Sequence, residues 1–338
     1  MGSVLVFRSG EVGLNHDTGR GHPERAERLG AVEDGIGMAA AVVDVHYSSG
    51  RRATREELAR VHDSAYLDRI EEFIAAGGVA VDADTRVSPG SWDAALLAAG
   101  SGLEAAEALA EAKTGTAFVA VRPPGHHACP AAAMGFCLIN NVAVTAAALA
   151  DAGGRVLIVD WDVHHGNGTQ DIFWDDPRVL YVSTHQWPLY PGSGRHDETG
   201  GPNAPGLTIN VPLPPGATGD VARVALDELV APEVSRFAPD WVLISAGFDA
   251  HRRDPLASLE WSAGDYADLT TTVASWAPAD GRVIAFLEGG YDLEALRDST
   301  AAVVGTLAGE TLRPEGPSAG GPGREQVARM IEWRRRLN

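Results

Sequence analysis

The sequence predicts an α/β protein: one three-layer domain on an open, mainly parallel sheet with helices on both faces. Short apolar, β-branched runs recur along the chain without polar alternation, and Ala-rich helical stretches separate them. A run that is apolar on both of its sides belongs in a sheet covered on both faces, and strand–helix alternation supplies the covers. The expected strands are residues 4–7, 117–121, 156–159, 179–182, 207–211, 241–245 and 283–287. The expected helices are residues 92–112, 141–152, 220–237 and 264–276. Neither an internal repeat nor a break in composition interrupts residues 1–312, so these form one domain. Residues 313–323 (RPEGPSAGGPG) read as a Pro/Gly linker. Residues 324–338 read as a basic amphipathic helix with Val327, Met330, Ile331 and Leu337 on one stripe. Such a helix is expected to dock on its own domain; an oligomer contact or an anionic partner is the alternative.

At 338 residues, 45% hydrophobic and 22% charged, the chain can bury a core. No apolar stretch approaches the roughly 20 residues that a membrane helix needs. The run at 4–7 is too short for a signal peptide, and Val6 stands where a myristoylation signal wants Ser or Thr. Against 27 basic residues stand 46 acidic ones, a formal charge of −19. That surface repels phosphate backbones, which argues against direct nucleic-acid binding, and it attracts cations. Two cysteines, Cys129 and Cys137, make neither a disulfide framework nor a zinc knuckle, and a reducing cytoplasm is the simplest home. Lys113 is the only lysine, a bias that fits a GC-rich, bacterial genome.

In an open parallel sheet the ligand site lies beyond the carboxyl ends of the strands, so the residues just past each run matter most. Residues 117–121 lead to Arg122-Pro-Pro-Gly-His126-His127, 156–159 to Asp160-Trp-Asp162-Val-His164, and 179–182 to Ser183-Thr184-His185. Residues 241–245 lead to Ala246-Gly-Phe-Asp249, and 283–287 to Glu288-Gly289-Gly290-Tyr291. Strand ends that repeatedly carry His, Asp or Tyr beside glycines point to one shared site.

Asp162 and His164, two apart on an extended segment, point the same way, and Asp249 closes the set from another strand end. Two carboxylates and an imidazole suit a divalent ion with an open coordination position, zinc among the candidates. Two anionic ligands neutralise such an ion, so a water it binds is less acidic than with three histidines, and a general base is needed. His126 and His127 are candidates, with an ordinary imidazole pKa of about 6.5. Tyr291 offers a neutral hydroxyl donor to a developing oxyanion, on a loop that Gly289 and Gly290 let approach closely. Together these parts describe metal-assisted hydrolysis of an amide-like carbonyl.

The ordered motifs GHPERAERL (21–29), RPPGHHA (122–128), GFCLINNVAV (135–144), DWDVHHGNGTQDIF (160–173), SAGFDAHRRDPL (245–256) and LEGGY (287–291) resemble histone deacetylases. They are most similar to the class II and bacterial deacetylase-like amidohydrolase branch, over roughly residues 15–305. The resemblance implies the arginase/deacetylase fold with an eight-stranded sheet, and one Zn2+ per chain on Asp162, His164 and Asp249. It implies His127 as the general base, His126 as its electrostatic companion and Tyr291 as the group that polarises the carbonyl. It implies an inner monovalent-cation site, usually potassium, at Asp160 and Ser183 with the backbone of Asp162, His164 and Thr184. It puts Gly135 and Phe136 on one wall of the substrate channel with Tyr190 opposite, and Arg25 or Arg28 near the acetate exit. Asn167 stands where the class I branch has an acid, so His127 lacks a negative partner.

The implied partner is an acylated amine, either an acetyl-lysine peptide or a small molecule, with no nucleic acid and no membrane; a homodimer is an open expectation. Polyamine-selective members carry a glutamate seven residues after the last zinc aspartate, where this chain has Leu256. An apolar gate favours acyl-lysine or a neutral amide, although Asp82, Asp84 or Asp197 offers charge at the rim. An acetylpolyamine amidohydrolase and a non-catalytic acyl-amine or acetoin-related binding protein are the alternatives. The histidine pair and Tyr291 argue against the latter. A two-manganese ureohydrolase on the same fold needs more aspartates, where this chain has His165-Gly166 and Ala250-His251.

Overall fold

A computed structural model describes residues 2–112, 115–278 and 282–336; Lys113 and Leu337 lie outside the described residues. Eight strands form one sheet: β1 (Ser3–Arg8), β2 (Asp44–Ser48), β3 (Thr116–Ala120), β4 (Val156–Asp160), β5 (Val179–Gln186), β6 (Thr208–Leu213), β7 (Trp241–Ala246) and β8 (Val283–Leu287). Their order is β2-β1-β3-β8-β7-β4-β5-β6, and every neighbouring pair is parallel. All carboxyl ends therefore open on one side. Successive strand residues enter opposite cores. Val6, Leu157, Val159 and Ile244 join Val32, Ile36 and Val303 on one face, while Phe7, Val156, Ile158 and Leu243 join Ala95, Leu103 and Val142 on the other. This two-sided burial is the physical content of the unalternating apolar runs.

The reading of the runs missed β2. Its sequence, Asp44-Val-His-Tyr-Ser, contains no two-sided apolar run, and it lies at the outer edge of the sheet with no residue fully buried. Helices Ser91–Ala112, Asn141–Asp151 and Ala263–Ala274 occupy expected stretches. The expected helix 220–237 is interrupted. It runs as an α-helix Gly219–Ala225, a π-helical turn Leu226–Val230 and a second α-helix Ala231–Phe237. Pro232 has no N–H for the carbonyl four residues back, so the regular ladder cannot continue through it. Helices Glu27–Ala39 and Leu293–Leu307, absent from the sequence reading, pack on each other so closely that a Cβ on Gly35 would lie 2.3 Å from the Arg297 carbonyl oxygen.

The C-terminal helix Arg324–Arg334 buries Val327, Met330 and Ile331 against the body. It also covers the free edge of β6: Gln326 Nε2 donates to the Pro212 carbonyl (2.8 Å), and Arg334 donates to those of Thr208 (3.3 Å) and Gly206. A bare edge of this kind is a template for pairing with another chain. A chain truncated after residue 323 is expected to melt several degrees lower and to associate with rising concentration, as thermal unfolding and light scattering would register. Unchanged melting in a monodisperse protein would contradict the edge-cover role.

Candidate active site

β4 and β7 are neighbours with Asp160 opposite Ser245, so the segments that leave them start side by side. Asp162 and His164 after β4 meet Asp249 after β7: their ligand atoms lie within 4.8 Å of one another, and all three residues are buried. The expected extended geometry at 162–164 is not what aligns them. The segment bends, and the His164 N–H donates to Asp162 Oδ1 (2.9 Å), a local aspartate turn that brings both side chains together. His164 Nδ1 lies 3.1 Å from Asp162 Oδ1 and 3.1 Å from Asp249 Oδ2. Backbone donors orient the acids: Gly289 N–H to Asp162 Oδ2 (2.8 Å) and Val163 N–H to Asp249 Oδ1 (2.8 Å). A Cβ on Gly247 would lie 2.1 Å from Asp162 Oδ2, and one on Gly289 2.2 Å from Asp249 Oδ2. Burial first, and then the neighbouring Asp162 charge, push the Asp249 carboxyl above its ordinary range. Two buried acids that repel each other, converging with one imidazole, fit a divalent cation. The histidines that stand where a second metal would need aspartates are engaged elsewhere: His251 Nε2 with Glu315 (2.8 Å), and His165 with Ser193 (2.9 Å) and Gln170 (3.0 Å).

The loop after β3 brings the histidine pair, with ring centroids 4.0 Å apart. His126 Nδ1 lies 3.0 Å from Asp160 Oδ2, and its Nε2 3.8 Å from Asp162 Oδ1. Burial opposes charge on His126, but Asp162 and then Asp160 outweigh it and hold its pKa well above the ordinary value. His127 is the opposite case: burial first, then His126 and His164, hold its pKa well below the ordinary value. Its Nδ1 sits 2.8 Å from Asn167 Oδ1, an acceptor, which assigns the proton to Nδ1 and leaves Nε2 bare. The Asn167 amide is oriented in turn by donation to Cys129 Sγ (3.2 Å) and Met134 Sδ (3.3 Å). Glu288, which the sequence reading left without a role, accepts the N–H of Gly125 (2.6 Å) and of His126 (3.2 Å). Burial is the main force that pushes its carboxyl up to about 7.

Tyr291 follows β8, and its ring stands 5.9 Å from that of Phe136 and 5.1 Å from the Arg28 guanidinium. Of the two candidate arginines, Arg28 is the buried one, donating to the carbonyls of Gly290 (2.7 Å) and Glu288 (2.5 Å), whereas Arg25 is exposed. Arg28 also pairs with Glu24 (2.9 Å), which Arg122 grips through Nε (2.5 Å) and Nη2 (2.7 Å). Burial raises the Glu24 carboxyl, but Arg122 foremost reverses this and holds it well below the carboxylate range. Glu24 and Arg122 went unused in the sequence reading; their signal was a charged residue inside an otherwise recognisable motif.

A cavity of about 360 Å³ is lined by His127, His164 and Tyr291 together with Gly135, Phe136, Tyr190 and Leu256. Gly135 and Phe136 both have positive φ, +55° and +68°, and a Cβ on Gly135 would lie 2.4 Å from His127 Cδ2. The Tyr190 ring stands 5.1 Å from His127 and 6.2 Å from His164. Of the three rim acids, Asp84 reaches the cavity wall. Asp82 is spent on the amides of Asp84 (3.0 Å) and Thr85 (2.6 Å), and Asp197 is exposed and pairs with Arg195 (3.0 Å). Next to the Asp162–His164–Asp249 triad, Asp160 lies opposite Ser183 in the β4–β5 register. Ser183 Oγ contacts His185 Nδ1 (2.9 Å), and Thr184 Oγ1 is buried with no hydrogen-bond partner among the described residues.

Residues 22–307 match the family model of the histone deacetylase domain. A probable deacetylase of Archaeoglobus fulgidus is 41% identical over 317 residues, covering 91% of this chain and 87% of that protein. The histone deacetylase-like amidohydrolase of Pseudomonas aeruginosa is 36% identical, covering 85% of this chain and 76% of its own. A crystal structure of the HDA15 HD domain superposes with a TM-score of 0.89 at 36% identity, over 98% of this chain and 95% of that one. No helix among the described residues is long and apolar enough to cross a membrane.

The glycine beside the triad supplies a test. Gly289→Ala would put a methyl group 2.2 Å from Asp249 Oδ2. Divalent-metal affinity is expected to fall about 10–100-fold while the circular dichroism spectrum is retained. Wild-type affinity, read by competition with a chelating dye, would show that the triad holds no metal.

Proposed function

The chain belongs to the histone deacetylase family, and from that premise we propose that it is a zinc-dependent deacetylase hydrolysing an N-acyl amide of an acetyl-lysine type or a small neutral amide. The observation that carries this reading is the convergence of His127, with Nε2 bare, and Tyr291 on the one cavity that His164 also lines. In this reading Asp162, His164 and Asp249 would hold Zn2+, which would supply Lewis acidity to the acyl carbonyl and to the attacking water. His127 takes the proton of the attacking water at Nε2, while Asn167 fixes the tautomer through Nδ1. The Tyr291 hydroxyl donates to the carbonyl oxygen as negative charge develops there. Burial first, then Asp249, holds that hydroxyl well above its ordinary pKa, so it stays a donor. His126 keeps its positive charge beside Asp160, and a histidine of the pair returns a proton to the leaving amine.

Asp160, Ser183 and the backbone of Asp162, His164 and Thr184 are assigned to a monovalent cation, potassium by family analogy, a reading that the adjacency of Asp160 and Ser183 on β4 and β5 supports. The catalytic unit is residues 1–312, with 313–323 and the terminal helix as a strap against it. Leu256 on the cavity wall favours an acyl-lysine or neutral amide. Asp84 on the same wall favours a second reading, an acetylated polyamine, which the relative turnover of an acetyl-lysine peptide and N-acetylputrescine decides.

His127→Ala and Tyr291→Phe should each lower acetate release about 10²–10⁴-fold with metal content unchanged. Near wild-type turnover in either would refute its role. A base held well below its ordinary 6.5 is already neutral at pH 6.5, so the acidic limb of kcat/KM should lie below that pH and the rate should be flat above it. A limb centred above pH 6.5 would contradict His127 as the base.

A further inference from the structure

One buried carboxylate beside the cavity takes no part in the steps above. Asp254, 7% exposed, accepts the backbone N–H of Tyr291 on Oδ2 (2.7 Å) and that of Leu256 on Oδ1 (3.0 Å). Tyr291 and Leu256 both line the cavity, but they lie on different segments, one after β8 and the other after β7. Resting on the deacetylase reading, we propose that Asp254 is a positioning residue, a clamp that fixes the Tyr291 hydroxyl and the Leu256 wall relative to each other.

The Tyr291 loop needs such an anchor. Gly289 and Gly290 precede the tyrosine, and Gly290 adopts φ +119°, a conformation that few other residues tolerate. Two glycines give the loop torsional freedom, so its contacts rather than its own backbone must define where the ring stands. Arg28 holds the carbonyl side of the loop, at Glu288 and Gly290, and Asp254 holds the amide side at Tyr291. An ionised carboxylate is suited to this, because both of its oxygens accept and two N–H groups can be served at once. Burial foremost, with Asp249 next, pushes the Asp254 carboxyl up to about 7, so a charge at this position works against folding. A carboxylate kept at that cost answers the two amides directed at it. Asparagine has nearly the same shape but presents a donor at one end, and therefore serves one amide and opposes the other.

The test uses Asp254→Asn in the zinc-loaded full chain, with two readouts. Hydrogen exchange at the amide that the asparagine opposes, Tyr291 or Leu256, should speed up about tenfold or more, while the amides of β4 and β7 keep their protection and so report an intact fold. In a double-mutant cycle, Asp254→Asn should lower kcat on an acetyl-lysine peptide about 10–100-fold with KM within about threefold. In a Tyr291→Phe background the same substitution should cost less than about threefold, because a clamp acting through the hydroxyl has nothing left to position. Equal losses in both backgrounds, or unchanged exchange at both amides, would overturn the proposal. A wild-type protein without turnover would overturn the deacetylase reading instead, and exchange at the two amides would then decide the clamp alone.

Discussion

The site is organised around buried negative charge. Asp160, Asp162, Asp249 and Glu288 stand at or just beyond the carboxyl ends of β4, β7 and β8, none more than 1% exposed. An isolated buried anion costs several kcal/mol even after relaxation, so each of these groups must find compensation. Backbone N–H groups of Gly125, Val163 and Gly289 supply part of it, and the imidazoles of His126 and His164 supply more. A divalent cation held among Asp162, His164 and Asp249, as proposed, would complete the set. The absence of a side chain at Gly247 and Gly289 has its cause in the same crowding, since a Cβ at either would collide with a carboxylate. An all-parallel sheet is what makes the convergence possible, because it delivers every strand's carboxyl end to one edge.

A second charge cluster closes on itself. Glu24 takes Arg122, Arg28 and His16 with all four side chains essentially excluded from water. Its carboxylate meets two arginines, whereas Asp162 and Asp249 converge on one imidazole with no arginine between them among the described residues. The closed cluster ties the segment before helix Glu27–Ala39 to the end of β3 and, through Arg28, to the loop of Tyr291. Arg28 and Asp254 then reach that loop from its carbonyl and amide sides.

Much of this was legible before the fold was known, and the part that was not has a common cause. Runs that are apolar on both sides revealed the strands buried on both sides, while β2, at an edge and partly wet, offered no such run. Residue chemistry at the strand ends singled out Asp162, His164, Asp249, His127 and Tyr291, which the fold brings together. The reason given for the pairing of Asp162 with His164 was incorrect, because a turn stabilised by the aspartate side chain replaces extended backbone. Glu288 and Asp254 escaped notice because they act on backbone amides of distant segments. Glu288 and Gly125 are 163 positions apart, and no local pattern marks an acceptor aimed at a main-chain donor so remote. Arg25 and Arg28 are equally close to the motif in sequence, and only the fold shows that they differ in burial, Arg25 exposed and Arg28 buried.

The proposed chemistry rests on whether the Asp162–His164–Asp249 set holds a divalent ion. The most direct measurement is acetate release from an acetyl-lysine peptide by protein stripped with a chelator and then titrated with zinc. The account predicts that turnover vanishes on stripping, rises in proportion to added zinc and levels off at one equivalent per chain. Turnover that survives stripping, or that requires a second equivalent, would contradict a single metal as the centre of the chemistry.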